Sequence, residues 1–135
     1  MAVLALTDAS ITINSVSLGN RANSVSINYE IDSLESTAFG SGGHSFVGGL
    51  QNLSVEIALM QDFAASNVEA TVYGLVGTTT TLVIKPTSSA VGATNPSYTI
   101  TGAFLAAHTP VAGAVGELAM TTLSFTGGTI AKAVA

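Results

Sequence analysis

A chain of 135 residues has room for one ordinary domain, 1–135, with roughly two-thirds of its unfolded surface removed from water on folding. Only 8% of the residues are charged, against roughly 25% in an average soluble domain, so the surface is neutral and suited to being covered by copies of itself. Arg21, Lys85 and Lys132 stand alone against eight acidic residues, which excludes a phosphate-gripping patch, and the lack of cysteine excludes disulfides and thiolate metal sites.

The N-terminal MAVLALTDAS has no basic n-region and too short an apolar run for a signal peptide, and no later segment approaches the length of a membrane span. No membrane insertion is expected. Residues 10–17 (SITINSVS) and 23–32 (NSVSINYEID) alternate apolar with polar side chains, the pattern of half-buried strands. Gly19 and Asn20 between them tolerate positive φ, and the two strands are expected to form a hairpin.

From residue 33 to 49 the sequence SLESTAFGSGGHSFVGG holds five glycines and no sustained period, predicting a long loop or an extended hairpin. A loop of that length in a compact domain usually has a function. Alternation resumes over 50–60, where Leu53, Val55, Ile57 and Leu59 interleave with Asn52, Ser54, Glu56 and Ala58. Ser66 and Glu69 have capping-box spacing and predict a short helix over about 66–76, weak in propensity and held by packing. Residues 78–85, 97–106 and 117–126 read as strands, with a bulge expected between Met120 and Leu123 and a loop over 107–116. The fold class is therefore mainly β, with one short flanking helix.

The segment GHSFVGG, 43–49, is close to the sequence around the catalytic serine of many lipases and esterases, and Ser45, Asp62 and His108 follow the serine, acid, histidine order of that class. The strained turn of a nucleophile elbow needs glycine two positions after the serine. Val47 stands there, no helix pattern follows, and the βαβ alternation of a doubly wound sheet is missing, so no enzyme is expected. His44 and His108 are expected to be solvated loop residues rather than metal ligands. GSGG at 40–43 lacks the Lys-Ser or Lys-Thr of a phosphate loop, and no cofactor or metal is expected. Asn52-Leu-Ser54 matches a glycosylation sequon but lies inside a predicted strand and is read as chance. Glu30, Asp32, Glu35 and Glu56 are conspicuous in so uncharged a chain, as a solvated strand face or as a functional set.

The order of features over about residues 8–128 resembles the major tail tube proteins of bacteriophages with long, non-contractile tails (siphophages). The resemblance rests on the loop segment with Glu35, Thr37, Phe39 and Gly40, on Gly49, Leu50 and Asn52 leading the next strand, and on the closing GELAMTTLSFTGG from Gly116 to Gly128. It implies a β-sandwich or barrel-like tail tube subunit, six copies per ring, rings stacked into a hollow tube, and four strands per subunit joined into an inner β-barrel. Partners implied are other copies of the chain, tape measure and tail-tip or tail-terminator proteins, and DNA passing without specific binding. The location implied is the virion tail, assembled in the host cytoplasm.

On that reading Asn28, Glu30, Ser54 and Glu56 line the bore, while Val25, Ile27, Tyr29, Val55, Ile57 and Leu59 pack inward. Glu35, Thr37, Phe39, Gly40, Gly42, Gly43, His44, Phe46 and Gly48 form the loop that meets neighbouring subunits, with the N-terminal segment assisting between rings. A head-to-tail completion or capsid decoration protein, or a bacterial adhesin or pilin-like subunit, would share the strand-rich composition.

Overall fold

The computed structural model describes residues 3–135, so the first two residues of the N-terminal segment lie outside the described residues. β1 (Ser10–Ile13) turns directly into β2 (Val16–Ser17) through Asn14 and Ser15, whose φ values of 49° and 69° are those of a two-residue hairpin turn. The expected hairpin between 10–17 and 23–32 is therefore not formed. A 3-10 turn at Gly19–Arg21 carries the chain into β3 (Ala22–Glu35), whose partner is β4 (Phe46–Met60). Their alternations lock in register, Val25 opposite Ile57 and Ile27 opposite Val55, so a slip of one residue would turn β4's buried apolar face to water.

α1 (Val68–Val72), prolonged by a 3-10 turn at Tyr73–Leu75, buries Val68 and Val72. The expected capping box is absent: Ser66 has a φ of 60°, Asn67 is the N-cap, and the Glu69 carboxylate is engaged elsewhere. β5 (Thr79–Lys85), β6 (Ser97–His108), β7 (Met120–Thr126) and β8 (Thr129–Ala133) complete the fold. β6 runs two residues further than the sequence suggested and carries the extra residue of a bulge, with Leu105 opposite Phe125 but Ala107 opposite Ser124. β7 itself pairs with β4 without a shift. The apparent phase change in its sequence arises because a threonine, Thr121, takes a fully buried inward position ahead of Leu123 and Phe125.

All strand pairings are antiparallel and belong to one sheet, in the order β2-β1-β5-β6-β7-β4-β3, with β8 also on β6. β2 and β3 thus sit at opposite edges, which six flat inter-strand steps would hold about 29 Å apart. The chain from Ser17 to Ala22 can span at most about 18 Å. The sheet must curl, and its inward side chains, among them Ile11, Ile13, Leu53, Ile57, Leu82, Ile100, Leu105 and Phe125, form one buried core.

β7 and β8 behave as one strand bent at Gly127 and Gly128. Pairing with β6 resumes in the same register beyond the bend, Phe104 opposite Thr126 and Thr101 opposite Thr129. Both glycines have positive φ, as does Gly102 across the ladder, and a Cβ on Gly128 would fall 2.4 Å from the Thr101 carbonyl oxygen. Only glycine fits this corner.

Candidate functional site

Directly opposed residues in an antiparallel pair share a face. Asn28 lies opposite Ser54, Ser26 opposite Glu56, and Glu30 opposite Asn52, so Asn28, Glu30, Ser54 and Glu56 are brought together on the outer face of β3 and β4, all exposed. Asn28 Nδ2 donates to Glu30 Oε1 at 3.1 Å. The opposite face of β4 holds the buried Leu53, Val55, Ile57 and Leu59. β7 widens the polar face with Thr126 beside Ser54, Ser124 beside Glu56 and Thr122 beside Ala58. Those three residues were missed from the sequence, although their alternation with Thr121, Leu123 and Phe125 carries the signal once β7 is known to neighbour β4.

Beyond the core, β3 and β4 continue as an arm. Of the long loop or extended hairpin expected over 33–49, the extended hairpin is formed: β3 extends to Glu35 and β4 starts at Phe46, leaving ten residues, 36–45, at the tip. Of the nine candidate loop residues, Glu35 ends β3, Phe46 and Gly48 belong to β4, and Thr37, Phe39, Gly40, Gly42, Gly43 and His44 lie in the tip. A second bulge places Gly49 and Leu50 against Asp32. Ile31, Leu34, Phe39, Phe46, Val47 and Leu50 are all at least half exposed, a concentration of apolar surface that solvent alone does not explain.

The tip is nonetheless ordered by polar contacts. Thr37 Oγ1 donates to Glu35 Oε2 at 2.8 Å and accepts from the Ser45 backbone N–H at 2.9 Å, while His44 Nδ1 lies 2.6 Å from Glu35 Oε2. His44, then Thr37, hold the Glu35 carboxyl below its ordinary value. Gly40 turns with a φ of 92°.

At the far end of β4 a second polar cluster ties the helix to the sheet. His108 Nε2 lies 3.0 Å from Glu69 Oε2, and its Nδ1 lies 2.9 Å from Thr121 Oγ1. Gln61 Nε2 donates both to Glu69 and to the Pro110 carbonyl. Arg21 Nε donates to Asp62 Oδ2 at 2.9 Å, and the backbone N–H of Ala64, followed by Arg21, holds the Asp62 carboxyl below its ordinary value. His108 is thus not a solvated loop residue; it ends β6, and its side chain is only 2% exposed. His44 is exposed as expected, although it is tied to Glu35.

The hydroxyl, imidazole, carboxylate chain of Thr121, His108 and Glu69 has the connectivity of a nucleophilic relay. Thr121 is fully buried, so no substrate carbonyl can reach its oxygen, and the cluster acts as a staple. Ser45 is at the arm tip against Thr37 and Ser36, whereas Asp62 and His108 belong to the base. The three members of the sequence-order triad are not assembled. Among the described residues there is no group of three or more His, Cys, Asp or Glu side chains able to hold a metal ion.

No protein-family model and no curated protein sequence matches the chain. Its fold is similar to that of a chain in the extended sheath–tube complex of an extracellular contractile injection system (PVC), with a TM-score of 0.72 and 10% identity over 98% of this chain and 93% of that one. It is also similar to a chain of the anti-feeding prophage tube-terminating cap (TM-score 0.67, 12% identity, 98% and 95% covered). A chain in the virion of a native gene transfer agent particle gives a TM-score of 0.67 at 13% identity, with 96% and 98% covered. The fold is therefore tail-tube-like from end to end. Because the likeness includes contractile injection systems, it is not particular to long, non-contractile tails.

Proposed function

We propose that the chain is a structural subunit of a phage-like tail, assembling as six-membered rings that stack into a hollow tube through which DNA passes. The observation that carries this reading is the shape of the sheet: its end strand β3 offers fourteen residues, Ala22–Glu35, hydrogen-bonded on one side only. An unpaired strand of that length, without proline, is a template for another chain, and closing it into a multi-subunit barrel removes the exposed edge. The end-to-end likeness to a chain of a sheath–tube complex and to one of a gene transfer agent virion supports the same reading.

In such a ring β3, β4, β7 and the end of β6 supply the four barrel strands, and Asn28, Glu30, Ser54 and Glu56 face the bore. Six copies at −5 each carry −30 per ring, and a negative bore repels a phosphate backbone instead of gripping it. The arm and the N-terminal segment meet neighbouring subunits. A tape measure protein inside, and terminator and tip proteins at the ends, are the partners of such a tube, which belongs in the virion tail and is assembled in the host cytoplasm.

Negative-stain microscopy of the purified chain tests this directly: six-fold rings or long hollow tubes are expected. Persistent monomers at high concentration, with no ring of this chain in particles that contain it, overturn the proposal.

A further inference from the structure

On the core side of β3 lies an apolar groove of about 290 Å³ lined by Val25, Ile27, Ile84 and Tyr98, with Leu4 and Leu6 of the chain's own N-terminal segment along it and Lys85 at its margin. Lys132 sits directly opposite Tyr98 on β8, hence on the same face, while Ile84 flanks Tyr98 from β5. Lys85 and Lys132 are the only lysines of the chain, and Arg21 is committed to Asp62. Neither lysine is ion-paired among the described residues; Lys85 donates to the Ser89 carbonyl, and Lys132 is exposed. Lys85 therefore edges the apolar groove, and Lys132 lies on the strand beside the Tyr98 that lines it.

The arm has the complementary character. No Lys or Arg occurs between Arg21 and Lys85, and the arm combines Asp32 and a half-exposed Glu35 carboxylate with the uncovered Ile31, Leu34, Phe39, Phe46 and Val47. It cannot seat in its own groove. Ile27, part of the groove lining, lies eight residues before Glu35, so the strand places the tip about 26 Å away.

We infer that the groove is the seat for the arm of a second copy, with apolar arm side chains on Val25, Ile27 and Tyr98, and Asp32 and Glu35 meeting Lys85 and Lys132. This rests on the tail-subunit reading and adds to the β3 edge a second surface by which its subunits join. Each copy has one arm and one groove, so a contact in which each arm enters the next copy's groove is head-to-tail and propagates into a ring or stack. Burying apolar surface supplies attraction, and the charge pairing fixes which segment enters.

The test is zero-length carbodiimide cross-linking of tubes assembled from a mixture of unlabelled and ¹⁵N-labelled chains. With two lysines in the sequence the link map is short, and mixed-isotope links from Lys85 or Lys132 to Asp32 or Glu35 are expected. Lys85→Glu with Lys132→Glu should raise the concentration needed for assembly at least about tenfold, with an unchanged circular dichroism spectrum. Tubes whose inter-chain links run to other carboxylates, or normal assembly of the folded double variant, overturn the groove assignment and leave the tail reading standing. Wild-type chains that form neither rings nor tubes overturn both.

Discussion

Gly128 tests the corner between β7 and β8. Alanine there adds a Cβ 2.4 Å from a backbone oxygen at a φ of 88°, so Gly128→Ala should cost at least about 3 kcal/mol in thermal or denaturant unfolding. Gly42→Ala, where no atom lies within 4 Å, should stay within about 0.5 kcal/mol. His108→Leu should cost about 2 to 3 kcal/mol, because Thr121 Oγ1 loses its partner inside the core and Glu69 loses one of its donors. The carboxyls of Asp8, held low by Ser88, and of Asp62, held low by Ala64 and Arg21, bind protons less readily folded than unfolded. Their stabilisation is complete above the ordinary carboxylate value and is lost as pH falls through the lower folded one, so the melting temperature should drop on acidification below about pH 4. None of the staple could be read locally. His108 is followed by Thr-Pro-Val-Ala-Gly, a loop composition, and its partners lie 39 residues before it and 13 after it. Gly128 was visible as a glycine but not as a corner, since its need for glycine comes from Thr101 across the ladder.

The arm is the element where stability and assembly separate. Removing residues 40–43 takes out a tip that touches none of the core, so the melting temperature should hardly move while ring and tube formation is lost in the microscope; equal loss of both would show that the arm is needed for folding. Protonating Glu35 should loosen the same tip, because its carboxyl is held low by His44 and Thr37 and that contact weakens as pH falls through the depressed value. Protection of the Ser36 and Ser45 amides against hydrogen exchange, both donors within the tip, should therefore fall toward acid, relative to the intrinsic rate at each pH, before that of the core amides does. The strands carrying this arm were legible in the sequence, because alternation with period two marks Val25 to Ile31 and Leu53 to Leu59 directly. Their pairing was legible only as one of two alternatives, the extended hairpin over 33–49. Gly19 and Asn20 looked like the turn of a hairpin, but the turn closed earlier at Asn14 and Ser15, and β3 found its partner across the arm. Strand identity is local, whereas partner choice depends on which turn forms and on what each face can bury.

At the scale of the whole molecule, the curled sheet separates two chemistries that the sequence interleaves. Odd positions of β4 from Leu53 to Leu59 and of β7 from Thr121 to Phe125 fill the core, and the even positions between them, with Asn28 and Glu30 of β3, present a polar face in which Glu30 and Glu56 are the charged groups. In the proposed six-membered ring the two carboxylates would repeat around the bore and repel a DNA duplex. Reversing both, Glu30→Lys with Glu56→Lys, should leave folding unchanged because both side chains are exposed, and should leave tubes able to form because the backbone edge of β3, the arm and the groove keep their groups. The reversed tubes should retain short labelled duplex DNA at low salt and release it as salt rises, the response of phosphates that have displaced counterions. Wild-type tubes should retain none at any salt. Retention that is equal in the two, or absent from both, would mean that this face does not line the bore, and would move the lumen to another part of the sheet.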